Sequence, residues 1–376
     1  MTLETSRLSE TLATLEAAYA SHAPLREPSG PVIGMVGQDV PGELITAVGA
    51  TALRLRGEPG RDTAVADHYL GTGLDPATRS LLTLLLGREF GTLDAVVVSA
   101  DCDASLRLYY VLREIIRVEP QTHIPPVYLV DILHLPRATT TRYNRVRVGQ
   151  LVDVLQGWTG ASITNTALEN AVRLHDEIRW LQRKVSALRH AQPARLTGSE
   201  YLAVMGAATR LPLDEYRVLL TTLLASTDQL PVHDELRVFL TGSSHDDPGV
   251  YRAIEAQGAV IVGEDHDWGE LLTEREVGAA TLDAIAERYQ HNGPTSQRSS
   301  IRQRATHTAT AAAGAGAEVL LSYTRDKDEA PLWDFAAQQA AAGMPAVMVS
   351  RQPYGAIDAG DLAEALDLLR EPRDAA

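Results

Sequence analysis

Apolar and polar positions alternate along this chain in two registers. Short apolar runs, the signature of strands buried on both faces, fall at Pro31 to Gly37, Ala52 to Leu55, Asp94 to Ser99 and Val127 to Val130. They recur at Arg237 to Gly242, Ala259 to Val262, Val319 to Tyr323 and Ala346 to Val349. Between them the period lengthens to that of helices: Glu43 to Val48, Arg79 to Phe90, Ala104 to Val118, a helix through Ile254, a long helical stretch after Gly269, and a closing helix from Leu362 to Leu369. The Ala/Gly-rich run Ala311 to Ala317 is expected to close-pack under a sheet as a helix end. Strands alternating with helices predict parallel sheets with crossover helices.

Two stretches lack the strand signal. In the first 28 residues Leu8, Leu12, Leu15 and Tyr19 lie on one helix face, with Thr5 or Ser6 as the cap. From about residue 141 to 230, Leu168, Val172, Ile178, Leu181, Val185 and Leu188 keep a helical step, with further helices at Ser199 to Thr209 and Leu213 to Ser226. The strand-bearing halves also rhyme. Each runs strand, Pro-Gly (Pro41-Gly42, Pro248-Gly249), helix, Gly-Ala (Gly49-Ala50, Gly258-Ala259), strand. The predicted fold is α/β: two similar parallel-sheet domains, at residues 31–140 and 233–376, joined by a helical connector at 141–232 and preceded by a helical segment at 1–30.

Composition narrows the function classes. Of 376 residues, 45% are hydrophobic, enough for a large core. The net charge of −15 lacks the basic footprint of a nucleic-acid binder, though it leaves room for a local basic pocket. The single cysteine excludes an intrachain disulfide and any multi-cysteine metal site within the chain. No apolar run reaches the length of a membrane helix, and Met1 to Thr5 shows no secretion signal, so the expected location is the cytoplasm.

Candidate chemistry lies at the strand ends, where open α/β sheets gather ligands. Asp101-Cys102-Asp103 follows the third run, so Cys102 is either a thiolate ligand or nucleophile at a strand end, or a small buried residue. Two flanking carboxylates would raise its pKa, which disfavours a free nucleophile more than a metal ligand. Glu43 opens the first crossover helix, as a catalytic carboxylate or as a complement to the helix dipole. His245, in the loop Ser243 to Gly249, and the cluster Glu264-Asp265-His266-Asp267 are metal or substrate contacts, or solvated loops. Tyr323 to Asp328 occupies the matching place in the second half. No Walker motif is present and no G-x-G-x-x-G follows a strand, so a nucleotide site is not indicated.

Several of these stretches together resemble the 2-hydroxyacyl-CoA dehydratase component D and benzoyl-CoA reductase subunit family. They are Val32-Ile33-Gly34 through Val40-Pro41-Gly42-Glu43-Leu44-Ile45 to Gly49-Ala50, Asp94 to Asp103, Tyr128 to Asp131 with Pro136-Arg137, Arg237 to Gly242, Ile254 to Ala259, Glu264 to Gly269, and Ala341 to Pro345. The resemblance implies two Rossmann-like domains and pairing with a related second subunit or a second copy. It also implies a [4Fe–4S] cluster held by cysteines from three places, fed by an ATP-dependent activator. The cluster would reduce an acyl-CoA thioester to a ketyl radical, in a cleft that excludes water.

Cys102 matches the middle cysteine. The first place carries Leu74-Asp75 and the last falls near Thr324. Iron–sulfur clusters are held mainly by thiolates. On the same resemblance Glu43 lies near the acyl group as the catalytic carboxylate, with His245 and Asp267 as substrate contacts. Two functions follow as expectations: a subunit of an acyl-CoA dehydratase or reductase, or a cluster-free descendant that binds an acyl-CoA or scaffolds a partner. A mononuclear metal enzyme using Cys102, Asp75 and His245 or His266 is a third.

Overall fold

The computed structural model describes residues 2–295 and 298–371. Its eight strands are β1 (Val32–Val36), β2 (Thr51–Arg54), β3 (Ala95–Ser99), β4 (Val127–Val130), β5 (Leu236–Gly242), β6 (Ala259–Glu264), β7 (Val319–Arg325) and β8 (Ala346–Gln352). They form two four-stranded sheets, ordered β2-β1-β3-β4 and β6-β5-β7-β8, with every pairing parallel. The two orders are the same once the second set is renumbered. The repeated sequence pattern therefore reflects a repeated topology: an α/β protein built of two similar sheets.

The apolar runs become strands because both faces of each sheet are covered. Ala95, Val96, Val97 and Val98 are all fully buried. Val97 faces a core shared with the helices Gly42–Ala47, Ala138–Thr159 and Leu282–Gln290, while Val96 and Val98 face the helices Pro76–Leu86 and Asp103–Val118. This is the period-two alternation of a strand set between two helical layers. On the second sheet, Phe239, Val260, Val262 and Leu320 pack on Ala312 and Ala315, so the Ala/Gly-rich segment closes the helix Ile301–Gly314 against that sheet.

The helical connector is four helices, Ala138–Thr159, Asn165–His190, Gly198–Ala207 and Leu213–Ala225. With the N-terminal helix Thr2–Ala20, the last three share a core containing Leu8, Leu15, Val185, Tyr216 and Leu220. Three details depart from the sequence pattern. The N-terminal helix ends at Ala20 rather than running to about residue 28. A short helix, Ala64–Leu70, fills the segment after β2. The long helical stretch after Gly269 is two helices, Leu282–Gln290 and Ile301–Gly314, parted by non-helical chain around Gly293-Pro294. Proline lacks the N–H that a helix interior needs. Leu282–Gln290 packs against the first sheet, through Ile285, Ala286 and Tyr289.

Both sheets end at glycines with φ in the left-handed region. Gly37 (φ 88°) follows β1, and Gly242 (φ 111°) ends β5. A methyl group on Gly37 would lie 2.2 Å from the Asp101 carboxylate, and one on Gly242 would lie 2.1 Å from the Tyr323 carbonyl. Only glycine tolerates both the torsion and the approach. The first strand of each sheet can then turn sharply where the neighbouring crossover begins.

Candidate functional site between the two sheets

The carboxyl ends of the two sheets face each other across a small cleft of about 140 Å³. From the first sheet it is lined by Gly37 and Gln38 after β1, Arg54 at the end of β2, and Asp101 and Cys102 after β3. From the second come Ser244, Asp265 to Trp268, and Arg325 at the end of β7. This is the switch-point position where such sheets place ligands.

Two ion pairs cross the cleft. Arg54 donates to the Asp267 carboxylate at 2.6 Å and to its carbonyl at 2.7 Å, and stacks over Trp268 at 3.9 Å. Ser244 Oγ donates to the other Asp267 oxygen. Arg325 holds Asp75 in a two-pronged pair, Nε to Oδ1 and Nη2 to Oδ2, each 2.9 Å, and its Nη1 donates to the Ser244 carbonyl. Asp75 also caps the helix Pro76–Leu86 by accepting from the Ala77 N–H. Planar, bidentate pairs of this kind are the strong class of charged hydrogen bond.

The lone thiol is poorly suited to chemistry by itself. Cys102 caps the helix Asp103–Val118, its Sγ accepting from the Ser105 N–H at 3.4 Å. Burial, then the Asp101 charge, push the thiol up to about 12. Asp101 itself accepts from the Gln38 N–H through Oδ2 at 2.8 Å, while its buried Oδ1 has no hydrogen-bond partner among the described residues. Burial first, then Asp39 and Asp267, lift its carboxyl to about 6.

The three places where the family resemblance expects cluster cysteines converge here, but the donors do not fit a cluster. Cys102 supplies one thiol, Asp75 is taken by Arg325, and the Thr324 hydroxyl is buried without a partner among the described residues. Neutral hydroxyls and a guanidinium-bound carboxylate are not iron–sulfur ligands. The mononuclear alternative fails too: among the described residues no three His, Cys, Asp or Glu side chains gather as a metal site.

His245 and Asp267, both expected as substrate contacts, differ in their access to the cleft. Asp267 lines the cleft. His245 lies behind it, packed against the rings of Tyr251, His266 and Tyr323, and lines neither this cleft nor the larger cavity beside it. His266 is held neutral in form: its Nδ1 accepts from the Trp268 N–H, so its Nε2 donates to the Tyr251 hydroxyl at 2.7 Å. Burial lowers its pKa.

The larger cavity, of about 510 Å³, adjoins the cleft and shares Gly37, Gln38, Arg54 and Trp268 with it. Helix Asn165–His190 and the segment from Ala208 to Asp214 form much of its wall. Glu43 stands one layer behind that wall, fully buried. It accepts from Arg179 through Oε1 and from the Tyr289 hydroxyl through Oε2 at 2.9 Å, and it is those two partners that face the cavity. Burial, the largest single influence, raises the Glu43 carboxyl, but Arg179, His175 and Arg288 together outweigh it and hold the group well below the usual carboxylate range. Beside it, burial lowers His175 to about 4, and its ring meets the Thr46 hydroxyl at 2.9 Å.

Arg179, Tyr289 and Arg325 escaped the sequence reading as site residues. Arg179 and Tyr289 sit inside helices, where isolated charged and aromatic residues read as surface or core. Arg325 lay within a polar strand end, and the only hint was its position equivalent to the Cys102 strand end.

A parallel α/β duplication with a cleft between matching sheet ends defines a class. Within it, this chain belongs to the 2-hydroxyglutaryl-CoA dehydratase D-component family, whose sequence profile matches residues 38–327. A benzoyl-CoA reductase subunit of Thauera aromatica is 24% identical over 261 residues, covering 68% of this chain and 66% of that protein. The beta subunit of (R)-2-hydroxyglutaryl-CoA dehydratase from Acidaminococcus fermentans is 23% identical over 235 residues, covering 62% and 61%. The match thus spans just under two thirds of either relative. A solved FpvC mutant of Pseudomonas aeruginosa aligns over 90% of this chain and 96% of its own at 14% identity, but a TM-score of 0.21 carries no argument. Among the described residues no helix is long and apolar enough to cross a membrane.

Proposed function

We propose that this protein is a cluster-free member of its family that binds an acyl-CoA thioester in the 510 Å³ cavity. The observation that carries the reading is the Asp75–Arg325 pair. A closed ion pair occupies the first of the three places that the family resemblance assigns to cluster ligands and borders the last. No electron step is therefore routed through Cys102. The relatives' names, a reductase and a dehydratase of acyl-CoA esters, support the ligand class.

The residues then have definite tasks. Glu43 is a positioning residue: it orients the Arg179 guanidinium and the Tyr289 hydroxyl toward the cavity. With its proton directed to Glu43, the Tyr289 oxygen presents lone pairs to a ligand, while Arg179 presents N–H donors. Asp267 fixes Arg54 at the junction of the two cavities, where a thioester carbonyl would meet a donor. Trp268 and the apolar wall around Met35, Val40, Ile178 and Met205 keep water from an acyl chain.

A second reading is supported by the relatives' names as subunits of larger enzymes. In it the chain pairs with a related, cluster-bearing subunit, which an ATP-dependent activator reduces. One experiment separates the readings. The chain is purified anaerobically, alone and with such a subunit, iron and sulfide are quantified, and binding of butyryl-CoA is titrated calorimetrically. Thioester binding by the iron-free chain supports the proposal. About four irons per chain, lost on Cys102→Ser, would overturn it. Binding and turnover only in the paired state favour the second reading.

A further inference from the structure

The large cavity contains a charge imbalance. Most buried arginines in this protein face a carboxylate: Arg54 pairs with Asp267, Arg179 with Glu43 and Asp176, Arg189 with Glu264 and Glu270, Arg304 with Asp265 and Asp334, and Arg325 with Asp75. Two arginines that line the cavity, Arg210 and Arg288, have no carboxylate within ion-pair distance among the described residues, yet they are only 2% and 5% exposed. Among the described residues Arg237 is another buried arginine without such a pair, but it spends its donors on carbonyls at the ends of two helices. Arg56 stacks on Tyr19 and lies outside the cavity wall.

Arg210 is the more exceptional. Its Nε donates to the Ser21 carbonyl at 3.0 Å and its Nη1 to the Thr209 hydroxyl at 2.9 Å, which leaves Nη2 without an acceptor among the described residues. Burial, then the nearby charge of Arg56, pulls its guanidinium down to about 9. Arg288 is bound to the carbonyls of Leu272 and Arg275 and to Asn292. Arg54 adds a buried Nε with no partner at the same wall. The acidic residues at the cavity, Glu27 and Asp214, are exposed at its rim. A buried guanidinium without a counter-charge is costly, and a bound anion would offset that cost.

We propose that the 510 Å³ cavity takes an anionic group of the ligand, a carboxylate or a phosphate, against Arg210, with the Nε of Arg54, unpartnered among the described residues, on the same wall. This rests on the thioester reading for where the rest of the ligand lies, but the anion subsite stands on the arginines alone. In an acidic protein the cavity is thereby selective: a neutral acyl group satisfies its apolar wall and leaves the cations unmatched.

The test titrates the full chain and Arg210→Met with glutaryl-CoA, butyryl-CoA, free coenzyme A, glutarate and inorganic phosphate. A carboxylate source predicts that glutaryl-CoA binds at least tenfold more tightly than butyryl-CoA and that Arg210→Met removes the difference. A phosphate source predicts that Arg210→Met weakens free coenzyme A and both thioesters alike. In either case the unliganded variant melts no lower than the parent, because an unmatched charge has been removed. Should Arg210→Met fail to fold, Arg210→Gln, which also removes the charge but keeps a donor for the Ser21 carbonyl, is read in the same way. Butyryl-CoA bound equally by parent and variant, with no gain from a second anion, overturns the subsite but leaves the thioester reading intact. Glutarate or phosphate bound without any thioester affinity does the reverse. No anionic probe bound by the parent chain overturns the subsite outright.

Discussion

Arg325, at the end of the third strand of the second sheet, holds both carboxylate oxygens of Asp75, the cap of a helix on the first sheet. The pair ties the carboxyl ends of the two sheets together at the point where the duplication makes them face. Arg54 and Asp267 make the reciprocal tie, with the cation from the first sheet and the anion from the second. The cleft is held by two crossed ion pairs.

Breaking the first tie on one side should cost more than removing it altogether. Asp75→Ala leaves the Arg325 charge buried and is expected to destabilise the protein by about 3–5 kcal/mol, whereas Asp75→Leu with Arg325→Met should cost clearly less. Urea unfolding of the single and double variants measures the coupling. Additive costs would mean that the two residues do not act as a pair.

Cys102 should be a sluggish nucleophile. With its thiol pushed up to about 12, its alkylation by iodoacetamide at pH 8 should run about 10–100-fold slower than that of a free cysteine. The rate should still be rising at pH 10. A plateau near pH 8 would show an ordinary thiol.

Asp101 should weaken the protein as it ionises. Its folded value, about 6, lies above the unfolded carboxylate range, so the stability present below about pH 4 is lost as pH rises through 6. Asp101→Asn does not ionise, and its oxygen can still accept from the Gln38 N–H. Relative to the parent, this variant should gain about 2–3 kcal/mol between pH 4 and pH 7. Unfolding curves at both pH values check it, and a constant difference would contradict the raised carboxyl.

Glu43 has the opposite sign. Its depressed carboxyl contributes stability above the unfolded carboxylate range, and this is lost only as pH falls toward strong acid. Glu43→Gln leaves Arg179 with Asp176 as its remaining anion and should cost about 2–4 kcal/mol at pH 7. The gap between parent and variant should narrow below pH 4. If Glu43 positions Arg179 and Tyr289, thioester affinity in the folded variant should fall with it, and Tyr289→Phe should lower affinity with a smaller stability loss.

The sequence alone was enough to determine the architecture. The Ala95-Val96-Val97-Val98 run and its seven counterparts are short apolar runs set between helical periods, which argues for parallel strands covered by crossover helices. The repeated Pro-Gly and Gly-Ala punctuation marked two equivalent units, and Asp101 and Cys102, after the third run, marked a strand end that lines the cleft. These are local properties, carried by period and by residue type.

What the tertiary structure alone decided is which charges meet. Asp75 and Arg325 lie 250 residues apart, and no local pattern links them; only the facing of two sheet ends makes them partners. The same holds for Glu43 with Arg179 and Tyr289, brought together by helices from three regions of the chain. It holds above all for Arg210, whose lack of a carboxylate partner among the described residues cannot be read from its neighbours in sequence. Ion pairing acts over a few ångströms in space and is indifferent to distance along the chain. For that reason the fold could be read from the sequence, while the ion pair standing at an expected cluster site could not.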